Sequence, residues 1–172
     1  LFGLFLLFIA GTLAIVQPYD KPGPAAIRIT RNWFAPVGGV LMAMCGLYAL
    51  IGFPLDDVWH RIFGQDVTLW GPTHLMLIGG AGLSLISVLL LEHEGRRAMP
   101  PDTPMDDTFF LKLVRYMSFG GLFIGLSVFQ IEYDFGVEQF RLVQQPMMIA
   151  AAAAFAAVAG RMVLGRGGAI IS

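Results

Sequence analysis

Apolar residues along this chain gather into five blocks, at 1–17, 37–53, 73–91, 113–131 and 146–164, with shorter polar segments between them. A bilayer's hydrocarbon core is about 30 Å thick, so a spanning helix needs about 20 apolar residues. Each block comes close to that length, and none contains Asp or Glu. Lipid offers the backbone no hydrogen-bonding partner, which selects helices or closed barrels. Barrel strands would alternate in segments of about ten residues, and these blocks do not alternate. The pattern predicts an all-α polytopic membrane helix bundle of about five transmembrane helices. A further short helix is expected at 54–63, lying near the membrane plane. There Leu55, Val58, Trp59, Ile62 and Phe63 fall on one face, with Pro54 at the first turn and Gly64 at the end.

Composition agrees. Of the 172 residues, 56% are hydrophobic and only 13% charged, against about 25% charged in soluble domains. The chain opens on Leu1 inside an apolar block and ends at Ser172. The expectation is one transmembrane domain, 1–172, with residues missing at both ends. A net charge of −1 without a basic stripe gives no footprint for nucleic acid. The expected surroundings are the lipid bilayer and other membrane subunits. The many glycines, including Gly79, Gly80, Gly82, Gly120 and Gly121, suit close helix packing. The single Cys45 lies mid-block and reads as packing.

Basic residues sort the loops. Lys21, Arg28, Arg31, Arg96, Arg97, Lys112, Arg115, Arg161 and Arg166 fall on one side of a five-span topology, and Arg61 and Arg141 on the other. The positive-inside rule places the first group in the cytoplasm. Loops 54–72 and 132–145 then face the exoplasmic side, in a bacterial inner (cytoplasmic) membrane. The proline-rich segment 18–36 (Pro18, Pro22, Pro24, Pro36) reads as an extended connector, and 98–107 as an exposed turn. Asp106 and Asp107 sit where they favour the start of the fourth helix.

The candidate chemistry lies in 54–74. Asp56 and His60 are four residues apart and so share a helix face. His74 follows Pro72 at the start of the third block. Two imidazoles and a carboxylate form a three-ligand set suited to copper, zinc, iron or nickel, with a position left open. The plainer reading is an Asp56–His60 ion pair with His74 marking a helix start. Glu132 and Asp134, in the second loop on that side, read either as hydrogen-bond partners of the histidines or as solvated carboxylates. His93 lies about 30 Å along the helix from His74 and reads as a solvated residue.

Asp56, Trp59, His60, Asp66 and Pro72-Thr73-His74 resemble a motif in the C subunit of the copper-containing membrane monooxygenases, the particulate methane and ammonia monooxygenase family. That family has an Asp-x-x-Trp-His run, a later Asp, and a Pro-Ser-His at a helix start. The spacing here is one residue longer between Asp66 and Pro72. The resemblance covers about 20 residues well and the helix layout loosely. It implies copper held by Asp56, His60 and His74, and zinc is the main rival for that ligand set. It further implies an oxidoreductase subunit acting with oxygen on a small apolar substrate. The family's second site uses an Asn and two further His, and no His follows His93 here. The alternative is a non-catalytic subunit that braces a larger membrane complex.

Overall fold

Val37–Phe63, Pro72–Ala98, Phe109–Ser127 and Gln144–Leu164 fold into helices of 27, 27, 19 and 21 residues. All four are long and apolar enough to cross a membrane. The computed structural model describes residues 1–16, 26–64, 68–103, 108–134, 136 and 141–171, apart from the side chains of Phe129 and Asp134. Pro18, Lys21, Pro22, Pro24, Asp66, Asp106 and Asp107 lie outside the described residues. In chain order the elements are α1 (Phe2–Val16), strands β1 (Ala26–Thr30) and β2 (Trp33–Pro36), α2 (Val37–Phe63), α3 (Pro72–Ala98) and α4 (Phe109–Ser127). A 3-10 turn (Val128–Gln130), α5 (Ile131–Asp134), α6 (Gln144–Leu164) and α7 (Gly168–Ile171) complete them. The fold is an all-α membrane helix bundle with one small hairpin. α1 is apolar apart from Thr12, but its 15 residues reach only about 22 Å.

The packing order follows the chain: α1 on α2, α2 on α3, α3 on α4, and α4 on α6. Small residues set the closest approach. A Cβ added at Gly80 would lie 2.7 Å from the Cys45 carbonyl oxygen and 2.8 Å from the Ala49 side chain. Any larger residue at 80 would drive α2 and α3 apart. Nothing comparable stands against Gly79 or Gly82, so the packing role expected of this run falls on Gly80. Cys45 is buried beside it, as expected of a packing residue. The core is made of Met42, Ala43, Cys45 and Ala49 on α2, Phe119 and Leu122 on α4, and Ala152 and Ala156 on α6. The buried hydroxyls of Ser84, Ser87 and Ser118 donate to carbonyls one turn back in their own helices, so they bring no unpaired donor into the interior. Large apolar side chains such as Met44, Ile124 and Met162 point outward, as lipid-facing positions should.

Two expectations are corrected. Residues 54–63 are helical, but they are not a separate interfacial helix: they are the last turns of α2, which runs through Pro54 without a break. Proline removes one N–H from the helix ladder, and membrane helices tolerate this where neighbouring groups satisfy the freed carbonyl. The connector expected at 18–36 folds back on itself along its described part instead of running on as one extended segment. Residues 26–36 form an antiparallel hairpin pairing Ala26 with Pro36, Ile27 with Ala35 and Arg28 with Phe34. The Arg28 guanidinium donates to the carbonyls of Thr30 and Arg31 and closes the turn. The Trp33 indole N–H donates to the Ile15 carbonyl at 2.8 Å, satisfying one open acceptor at the end of α1.

At this end of the bundle, Glu94 near the C-terminus of α3 reaches the start of α2. Its two carboxylate oxygens accept from the Val37 and Gly38 N–H groups at 2.9 and 3.0 Å. Glu92 accepts from both Arg96 and Arg115, linking α3 to α4. His93 between them is exposed, matching its solvated reading. The start of α4 is capped by Thr108, whose hydroxyl accepts from the Leu111 N–H at 3.3 Å.

Candidate metal centre

The opposite end of α2 and α3 carries the candidate site. α2 delivers Asp56 and His60 from successive turns, and α3 delivers His74 from its first turn, with Pro72 at the start of the helix. Proline fits there because a first-turn N–H has no helical partner. The return between the helices brings the three side chains together. One ligand atom from each of Asp56, His60 and His74 lies within 4.8 Å of the others. Asp56 stands in the middle: its Oδ2 is 3.4 Å from His60 Nε2, and its Oδ1 is 3.3 Å from His74 Nε2. The imidazole centroids are 5.6 Å apart. All three side chains are partly buried.

The other nitrogen of each ring is held by the backbone. His74 Nδ1 lies 2.7 Å from the Thr68 carbonyl oxygen, and His60 Nδ1 lies 3.3 Å from the Gly64 carbonyl oxygen. A carbonyl only accepts, so in both contacts Nδ1 carries the hydrogen. That leaves both Nε2 atoms turned toward the Asp56 carboxylate. Each Nε2 thus faces a carboxylate oxygen, where a metal ion shared by the three side chains would be held. An imidazole whose distal N–H is held by a carbonyl is the usual arrangement of a metal-ligating histidine. Ligand bonds of about 2.0–2.2 Å in tetrahedral geometry put neighbouring ligand atoms about 3.4 Å apart. Each Asp–His separation is near that edge, though to a different carboxylate oxygen, and one ligand atom of each residue lies within 4.8 Å of the others, so the donor set is compatible with a small transition-metal ion.

Local sequence explains the placement. Gly64 ends α2 with φ of +82°, and its N–H donates to the His60 carbonyl. A side chain would be strained in that conformation, and the Gly64 carbonyl is the group that steadies the His60 ring. Thr73, only 5% exposed, donates its hydroxyl to Asp56 Oδ1 at 2.6 Å and fixes the carboxylate. Around the site, Trp59 packs against Phe63 in a tilted arrangement, with ring centroids 4.4 Å apart. Asp57 pairs with Arg61 on the outer face, apart from the cluster, and an exposed pair of this kind contributes little.

All three residues singled out as ligands are therefore brought together, and the ion-pair reading accounts for only one of the two histidines. Glu132 is not a solvated loop carboxylate. It is 5% exposed, and its Oε1 accepts from the Leu69 N–H, not from an imidazole. The Asp134 side chain lies outside the described residues. The sequence reading missed Thr73, Thr68 and Gly64 as supporting groups. Thr73 had a signal, since a hydroxyl beside His74 at a helix start faces the same end of α2.

Fold and site together define a membrane helix bundle with a two-histidine, one-carboxylate cluster between two spanning helices. The chain matches no protein-family model, no curated protein and no solved structure.

Proposed function

We propose that this chain is a copper-binding integral membrane subunit, akin to the C subunit of particulate methane and ammonia monooxygenases. In this reading it contributes to the oxidation of a small apolar substrate by oxygen. The observation that carries the reading is the pair of Nε2 atoms aimed at one carboxylate, each with its Nδ1 on a backbone carbonyl. Bound copper would supply redox chemistry and an open position for oxygen. The chain's own residues have simpler tasks. His60 and His74 offer neutral nitrogen donors, Asp56 offers an anionic oxygen that offsets the ion's charge, and Thr73 holds that oxygen in place. Copper ranks above zinc on the motif resemblance and because nitrogen and oxygen sites bind copper(II) most tightly among these ions. An apolar groove of about 380 Å³, lined by residues including Met44, Cys45, Tyr48, Ile51 and Leu83, runs along α2. It suits an apolar molecule entering from the bilayer. In this reading the site lies toward the exoplasmic face of a bacterial inner membrane, an orientation supported by the distribution of basic residues.

A second reading has its own support. The chain has three histidines, two of them in this cluster, and the second site of the family it resembles has no counterpart in this sequence. The subunit then holds copper, or braces a larger complex, without reacting itself. Elemental analysis of protein purified from native membranes, with no metal added, decides between metals: the protein should hold about one equivalent of copper. Retention of zinc alone would keep the site but remove the oxidative reading. Oxygen-dependent oxidation of a small alkane by native membranes, absent from the isolated subunit, would favour the second reading.

A further inference from the structure

The Thr68–Leu69 peptide unit faces two ways. Its carbonyl oxygen receives His74 Nδ1 at 2.7 Å, and its N–H, on the other side of the same rigid plane, donates to Glu132 Oε1. Glu132 sits on α5, which lies in the chain between α4 and α6, and it is 5% exposed. A buried carboxylate is costly unless its oxygens are paired, and here the pairing is made with the peptide that holds a ligand ring. The peptide is planar because its C–N bond has partial double-bond character. Fixing the direction of its N–H therefore fixes the direction of its C=O. Charge-assisted hydrogen bonds are about twice as strong as neutral ones, and hydrogen bonds in series polarise one another. Thr68 also has a local restraint, its hydroxyl accepting from the Trp70 N–H at 3.1 Å, which holds the turn against rotation from the other side.

We propose that Glu132 is a positioning residue for the metal centre: through the Thr68–Leu69 peptide it sets the tautomer and direction of His74, so that Nε2 faces Asp56. This inference rests on the metal reading of Asp56, His60 and His74. Glu132 touches no ligand side chain in the chain of bonds described, so it acts entirely through the backbone. Its placement on α5 couples the site to that short helix, whose position becomes part of the site's geometry.

The test uses the full chain in detergent, with copper(II) as probe and three readouts: affinity, the paramagnetic resonance spectrum and the melting temperature. Glu132→Ala should weaken copper binding about tenfold, the lower end of the loss on removing an outer partner of a ligand, and should shift the nitrogen and copper hyperfine splittings. Glu132→Gln keeps an oxygen acceptor in place and should restore most of the affinity and the wild-type spectrum. A merely structural role would lower the melting temperature of Glu132→Ala and leave the spectrum of its bound copper unchanged, and that result would overturn the proposal. So would a Glu132→Gln variant as impaired as Glu132→Ala. Where Glu132→Ala does not fold, nitrogen-15 spectra of the metal-free wild type at alkaline pH decide the matter. His74 should carry its hydrogen on Nδ1, and a hydrogen on Nε2 alone would overturn the proposal. Undiminished copper binding by His74→Ala would overturn the metal reading itself, and is distinct from loss in His74→Ala with no change in Glu132→Ala.

Discussion

Asp56 uses both oxygens, one toward each imidazole, and only the oxygen facing His74 also receives the Thr73 hydroxyl. That asymmetry makes Thr73 testable by a change that keeps volume and removes the hydroxyl. Thr73→Val should leave the helices intact, cost about 1 kcal/mol of stability for the lost hydrogen bond, and weaken metal binding about tenfold or more. A metal titration beside a thermal melt checks both, and unchanged affinity would exclude Thr73 from the site. Asp56 and His60 were legible because a helix turns a four-residue spacing into adjacency. His74 was legible because a proline two residues earlier marks a helix start. Thr68 and Gly64 were not, since they act through backbone carbonyls, and Glu132 was read as a partner of the histidines or a solvated carboxylate because its bond to the Leu69 N–H, 63 residues away, leaves no spacing to read.

At the scale of elements, α2 and α3 form an antiparallel pair fastened at both ends. At one end the cluster joins Asp56 and His60 to His74. At the other, Glu94 on α3 receives the first two N–H groups of α2, which have no helical partner of their own and sit at the positive end of the helix dipole. Glu94→Ala should lower the unfolding free energy by about 1 kcal/mol, as loss of an N-terminal cap does. Bound metal should be unaffected, since the two ends are a helix length apart. Thermal melts of apo and metal-loaded protein check this, and a variant as stable as wild type would contradict it. The apolar blocks located all the long helices, because burying some 20 residues in lipid dominates every local preference. Their polar ends were harder. Pro54 suggested a new helix, but proline's φ is compatible with a continuing one, and tertiary packing carried α2 through it. The hairpin was hidden by the prolines around it, although the alternation of Ile27 and Ile29 and the turn at Asn32 were present in the chain.

For the whole molecule, the site's position follows from the helix order: α2 and α3 meet at their junction, and the basic residues Arg96, Arg97 and Arg115 mark the far end. In a Cys45→Ala background, Asp57→Cys and Asp102→Cys should react with an impermeant thiol reagent from opposite faces of sealed vesicles, the first from the exoplasmic side. Labelling of both from one face would contradict the topology. The account as a whole turns on a single metal ion joining the two central helices. Its most direct measurement is the metal content of purified wild type against folded His60→Ala and His74→Ala. Wild type should hold about one ion per chain, and each variant should lose most of it while keeping its helical circular-dichroism spectrum. Wild-type metal content in both folded variants would contradict the account and leave Asp56 with His60 as an ordinary ion pair.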